Sequence, residues 1–245
     1  MDIGKSFSFT FEDKKWIEKI LIGGLLMFVP IFGLVLLYGY GVELVRNVRS
    51  HKPDPLPEWD EWGKKIVEGL KLVVILFVWS LPLIILLILM LFPMALAGDS
   101  DSGSSAASIF GMCFSCFAFL YGLVLWLATP GIIIKFAETG ELADGFKFGD
   151  ILDFAKKHLG QIIIVALVSW VVYMIAGLVG ALLCGVGLFF TSFWALLVQF
   201  HLTAQIGLDA AAPARPLENL PAKEPIEKLP AEGAEEAFSE GKDNE

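Results

Sequence analysis

The sequence predicts an all-α protein, a polytopic helical membrane bundle. It should have four full transmembrane helices plus an N-terminal element that is either a re-entrant hairpin or a fifth span. Three observations lead there. Residues 72–97 and 109–134 each run 26 residues without a charged side chain, residues 159–208 run 50, and residues 20–42 run 23. At about 1.5 Å rise per residue, 26 helical residues reach roughly 39 Å, more than the ~30 Å hydrocarbon core requires. The chain is 56% hydrophobic with a mean hydropathy of +0.69, beyond the habit of soluble domains.

Charge sharpens the division into parts. Of the net −9, the tail at 209–245 carries −6, from ten acidic and four basic residues, which leaves −3 for the body. No basic footprint for nucleic acid exists. The three cysteines, Cys113, Cys116 and Cys184, sit in apolar stretches, where small-residue packing is their ordinary role. Their odd number argues against a disulfide framework. Cys113 and Cys116 have the spacing of a metal pair but lack further ligands nearby.

Residues 1–19 read as an interfacial amphipathic segment. Phe7, Phe9, Phe11 and Trp16 supply apolar surface, while Lys14, Lys15 and Lys19 suit phosphates. Thr10 with Asp13 has the spacing of a helix N-cap. No small-residue cleavage site follows, so the first apolar segment is expected to stay in the mature protein.

Residues 20–45 begin the transmembrane domain, 20–208. Pro30, Ile31, Phe32 and Gly33 place turn chemistry at the midpoint. Each half is then 12–15 residues, too short to cross alone, which suggests a hairpin. A shift of 92 residues argues for a full span instead. It aligns Gly39 with Gly131, Glu58 with Asp150, Glu61 with Asp153, Trp62 with Phe154, and Lys64-Lys65 with Lys156-Lys157. Parallel duplication is one way to build transporter-like bundles.

The remaining spans are expected at 66–96, 109–134, 161–182 and 188–207. Pro82 should kink the first, and Pro130-Gly131 should bend or end the second. Phe148, Ile151, Leu152, Ala155 and Leu159 recur at helical spacing opposite Asp150, Asp153, Lys156 and Lys157, the pattern of an amphipathic helix feeding the next span. The prolines and glutamates of the tail predict disorder. Basic loops 46–65 and 135–158 hold five and four Lys/Arg, whereas the joins near 97–108 and 183–187 hold none. The positive-inside rule therefore predicts a multi-pass protein of the cell membrane with both basic loops and the tail in the cytoplasm.

The most distinctive text is Pro53-Asp54-Pro55-Leu56-Pro57-Glu58-Trp59-Asp60-Glu61-Trp62-Gly63. Trp59 and Trp62, with Trp16, are candidate anchors at the headgroup layer. The carboxylates could in principle hold a hard cation. Together with Phe9-Thr10-Phe11-Glu12-Asp13, Ile22-Gly23-Gly24-Leu25-Leu26, Pro30-Ile31-Phe32-Gly33 and Gly39-Tyr40, this loop resembles a prokaryotic membrane-protein family, the domain of unknown function numbered 4013. The resemblance covers most of residues 7–207 and implies a multi-spanning architecture with no established activity or catalytic residues.

Within the spans, Ser192, Gln199 and Thr203 share one helical face, and His201 with Gln205 lies opposite. Such side chains either line a polar path or bridge helices. His201 should lie near the cytoplasmic end, wetted. Gly177, Ala181 and Gly185, with Gly180 and Cys184 beside them, form a small-residue stripe that admits a neighbouring span or a second copy. No enzyme signature is present, so no catalytic, cofactor-binding or metal residues are expected. The expected partners are the lipid bilayer and a homo-oligomer or membrane partner. Two functions remain: a non-enzymatic scaffold organising lipid or a partner, and a transporter or permease-like protein for an apolar or amphiphilic solute.

Overall fold

A computed structural model of the chain describes residues 1–96, 101–183 and 185–208, without side chains at 90–96, 101–110 and 113. Every regular element among them is helical. The order is α1 (Ile3–Glu12), α2 (Trp16–Leu26), α3 (Pro30–Arg49), α4 (Trp62–Leu96) and α5 (Asp101–Thr139). A 3₁₀ turn (Leu142–Phe146) then leads to α6 (Phe148–Lys157), α7 (Leu159–Leu182) and α8 (Gly187–Ala204). The sequence at 209–245, at Cys184 and at 97–100 lies outside the described residues, so the expected tail disorder is not addressed.

Among the described residues, five helices are long and apolar enough to cross a membrane: α3, α4, α5, α7 and α8. The uncharged stretch at 20–45 is two helices. Pro30, which has no amide to lose, opens α3, and Met27–Val29 form the break. The halves are unequal, contrary to the sequence expectation: α2 has 11 residues, but α3 runs on to Arg49 and reaches 20. The Trp59 indole donates to the Lys19 carbonyl at 3.0 Å, so the start of α2 lies beside the loop that leaves α3. Hairpin and fifth spanning-length helix are thus both present, the second arm being the long one.

Several other boundaries shift outward, although α8 stops at Ala204, short of the expected 207. Pro130 lies inside α5, which continues nine residues past it to Thr139. Thr10 does not cap a helix. It lies buried within α1, whose cap is the Asp2 carboxylate accepting from the Lys5 amide at 2.9 Å. The amphipathic helix expected after 148 is α6, with Ile151 and Ala155 buried.

Packing follows small residues and single stripes. On α7 the buried set is Ile162, Val165, Ser169, Val172, Ala176 and Gly180, one face turned to α8. Its other faces expose Leu167, Trp170, Leu178 and Leu182, a surface suited to lipid. Helices α3 and α4 approach closely through glycines. A Cβ on Gly39 would stand 1.9 Å from the Lys65 carbonyl oxygen, and one on Gly69 would stand 1.8 Å from that of Val35. Arg49 gathers one end of the bundle, since its guanidinium donates to the Ala204 and Ile206 carbonyls and to Glu138. The ends of α3, α5 and α8 therefore meet there.

Candidate functional site

The loop between α3 and α4 is built by its prolines. Pro53, Pro55 and Pro57 cannot donate amide hydrogens, so regular pairing fails and the carbonyls need other partners. Side chains from the helices supply them. Asn47 Nδ2 donates to the Pro55 carbonyl at 2.9 Å, Lys19 Nζ to Leu56 at 3.1 Å, Tyr40 Oη to Pro57 at 2.7 Å, and Lys65 Nζ to Asp60 at 3.0 Å. Leu56 drops into the core. Glu61 then adopts φ +43°, an uncommon left-handed backbone for a non-glycine, immediately before α4.

Two buried lysines support this loop. Lys19 is 2% exposed and Lys65 1%. Besides the Leu56 carbonyl, Lys19 meets Asp13 at 2.6 Å and Glu58 at 3.0 Å. Besides the Asp60 carbonyl, Lys65 meets Glu43 at 2.8 Å and the Asp60 carboxylate at 3.3 Å. An ammonium has three donors, so both are fully engaged. Burial alone would raise the Asp13 carboxyl, but the hydrogen bonds from Lys19 and the Lys15 amide outweigh it and hold the group below the usual carboxylate range. Glu12, Asp13, Glu43, Asp54, Glu58 and Asp60 rim a polar basin of about 490 Å³ with Lys14, Lys15 and Lys52. Among the described residues no group of three or more His, Cys, Asp and Glu is arranged to hold a metal ion.

The tryptophans face different surroundings. Trp59 stacks on Tyr40 at 4.3 Å between ring centroids and on Trp62 at 5.6 Å. It is half-buried against the core, whereas Trp62 is exposed. Trp16 meets Phe11 edge-on at 5.0 Å.

The loop and the helices beside it fall within a match to one family model. Residues 22–185 match the model described as "Protein of unknown function (DUF4013)". The chain belongs to this family. No curated protein and no solved structure matches it.

In this DUF4013 protein the polar residues of α8 do not line one path. Ser192 faces the break between α2 and α3. Gln199 accepts a hydrogen bond from Tyr173 Oη at 2.9 Å and, with Thr203, lines a small cavity between α5, α7 and α8. His201 is buried, against the expectation of a wetted side chain, because α1 docks over it. Ser6 Oγ lies 2.8 Å from His201 Nδ1, the Gln205 amide nitrogen 3.1 Å from it, and Phe9 stacks on the ring at 4.2 Å. The Gln205 nitrogen donates, which makes Nδ1 the acceptor and places the neutral ring's proton on Nε2.

The small-residue stripe also divides. Gly180 packs inside the molecule, where a Cβ would stand 2.6 Å from Leu188 Cα. Gly177 has open space, Ala181 is exposed, and Gly185 takes φ +80° in the turn into α8. Cys184 lies outside the described residues.

One feature eluded sequence reasoning altogether. Between the α2–α3 break and α8 lies an apolar groove of about 730 Å³ lined by Met27, Ile31, Leu34, Leu37, Leu188 and Leu196, with Tyr38 and Ser192 at its wall. Only a fold that sets the break against α8 creates it. The signal available in sequence was Pro30 at the break.

Proposed function

We propose that this DUF4013 protein is a non-enzymatic membrane scaffold that organises lipid, holding an acyl chain in the groove between the α2–α3 break and α8. The groove carries the reading. It is apolar, its rim residue Ile31 is 83% exposed, and both bounding stretches lack charge. Hydrocarbon is the medium around such surfaces. Two polar clusters that a solute path could use are instead tied to protein partners, Tyr173–Gln199 and Ser6–His201–Gln205. By the positive-inside rule, the end where Arg46 and Arg49 lie faces the cytoplasm of a cell membrane.

A second reading, transport of an apolar or amphiphilic solute, draws support from one observation. The glycines paired by the 92-residue shift both receive the element that follows them. A Cβ on Gly39 would meet Lys65, and one on Gly131 would meet Phe154 at 3.2 Å and Ile151 at 3.4 Å.

Filling the groove separates the two. In Leu34→Trp/Leu196→Trp, native mass spectrometry of protein from mild detergent should show bound lipid reduced several-fold, because the two indoles fill the volume an acyl chain would occupy and a chain displaced into hydrocarbon loses groove packing. Unchanged lipid retention would overturn the lipid reading. Solute flux in sealed vesicles, lost in Gln199→Leu at normal expression, would favour transport.

A further inference from the structure

We infer that the small cavity at Pro130 is a hydrated site inside the membrane domain, built to hold water between α5, α7 and α8. The cavity measures about 90 Å³, room for about three waters at roughly 30 Å³ each. Its polar lining comes from Thr129, Ser169, Gln199 and Thr203. Ser169 is the decisive residue. It is 6% exposed, yet its hydroxyl has no hydrogen-bond partner among the described residues. A buried hydroxyl left unsatisfied is costly, and buried polar groups are regularly completed by ordered water.

Pro130 supplies a second group in need of a donor. Pro130 lies within α5 and has no amide hydrogen, so the Trp126 carbonyl lacks the donor that helix geometry would give it. Trp126 and Pro130 both line the cavity. Thr129, by contrast, donates its hydroxyl to the Leu125 carbonyl at 2.8 Å, which leaves its oxygen free to accept from water. None of the lining side chains is ionisable, which suits a neutral hydrogen-bonding occupant over an ion. Water in the cavity explains how α5 carries a proline through its spanning stretch: it replaces the missing donor. The inference does not depend on the lipid groove, which other residues form.

Radiolytic hydroxyl labelling of the full chain in lipid nanodiscs tests it, because bound water generates the radical in place. Trp126 should label at least several-fold faster than Trp170, an exposed tryptophan on α7 that does not line this cavity. In Ser169→Ala that excess should fall and the melting midpoint should drop. Equal labelling of Trp126 and Trp170 in the unaltered protein would overturn the site, whether or not the variant folds. So would a raised midpoint in Ser169→Ala, the result expected when an orphan hydroxyl is removed from a dry cavity.

Discussion

Gly39→Ala should destabilise the protein by about 3 kcal/mol or more, the upper range for overpacking a close contact. The methyl would stand 1.9 Å from the Lys65 carbonyl oxygen, which is backbone and cannot rotate away. The two helices would have to separate. Gly69 faces the Val35 carbonyl in the same contact, so the strain cannot be relieved by sliding one helix along the other. Thermal unfolding in mild detergent, followed by helicity, measures the effect. Gly149→Ala on α6 is the control, since a Cβ there meets nothing within 4 Å. Alanine has the better helix propensity, so this control should be neutral or stabilising by up to about 1 kcal/mol. Equal melting of the two variants would contradict the α3–α4 contact.

Lys65→Met is expected to cost about 3 kcal/mol, the low end for breaking a buried ion pair by removing one partner. The low end applies because Glu43 keeps a side-chain exposure of 20% and recovers some hydration. The loss should also loosen the loop, since Lys65 holds both the carbonyl and the carboxylate of Asp60. Hydrogen exchange over residues 54–61 should speed up together with the fall in melting midpoint. The exposed pair Lys156–Asp153 provides the contrast: Lys156→Met should change stability by no more than about 0.5 kcal/mol. A Lys65→Met protein as stable as Lys156→Met would show that the buried lysine does not anchor the loop.

Much of the architecture was legible because the bilayer writes it directly. Uncharged length identified the cores of α4, α5, α7 and α8, and helical spacing identified α6, as each signal is local. Boundaries were not legible. The positive-inside reading treats 46–65 and 135–158 as loops, yet α3 continues to Arg49 and α5 to Thr139 because their charged ends find protein partners. The surroundings of Lys19 and Lys65 were hidden for a similar reason. A lysine in sequence reads as a solvated charge, and only the approach of the proline-stiffened loop brings carboxylates and carbonyls to bury it. His201 was misread because its partner Ser6 stands 195 residues away. The Trp59 ring carries no mark in sequence that it stacks on Tyr40. Long-range pairings of this kind have no periodicity to betray them.

The central claim is that lipid surrounds the exposed apolar faces of these helices. Photolabelling with a carbene reagent dissolved in the bilayer, mapped by mass spectrometry, tests it most directly. Leu167, Trp170 and Leu178 on α7 and Ile31 on α3 should take up label, while buried Val172 and Leu197 stay unmodified. Label absent from those exposed positions, with a water-soluble reagent reaching them instead, would contradict it.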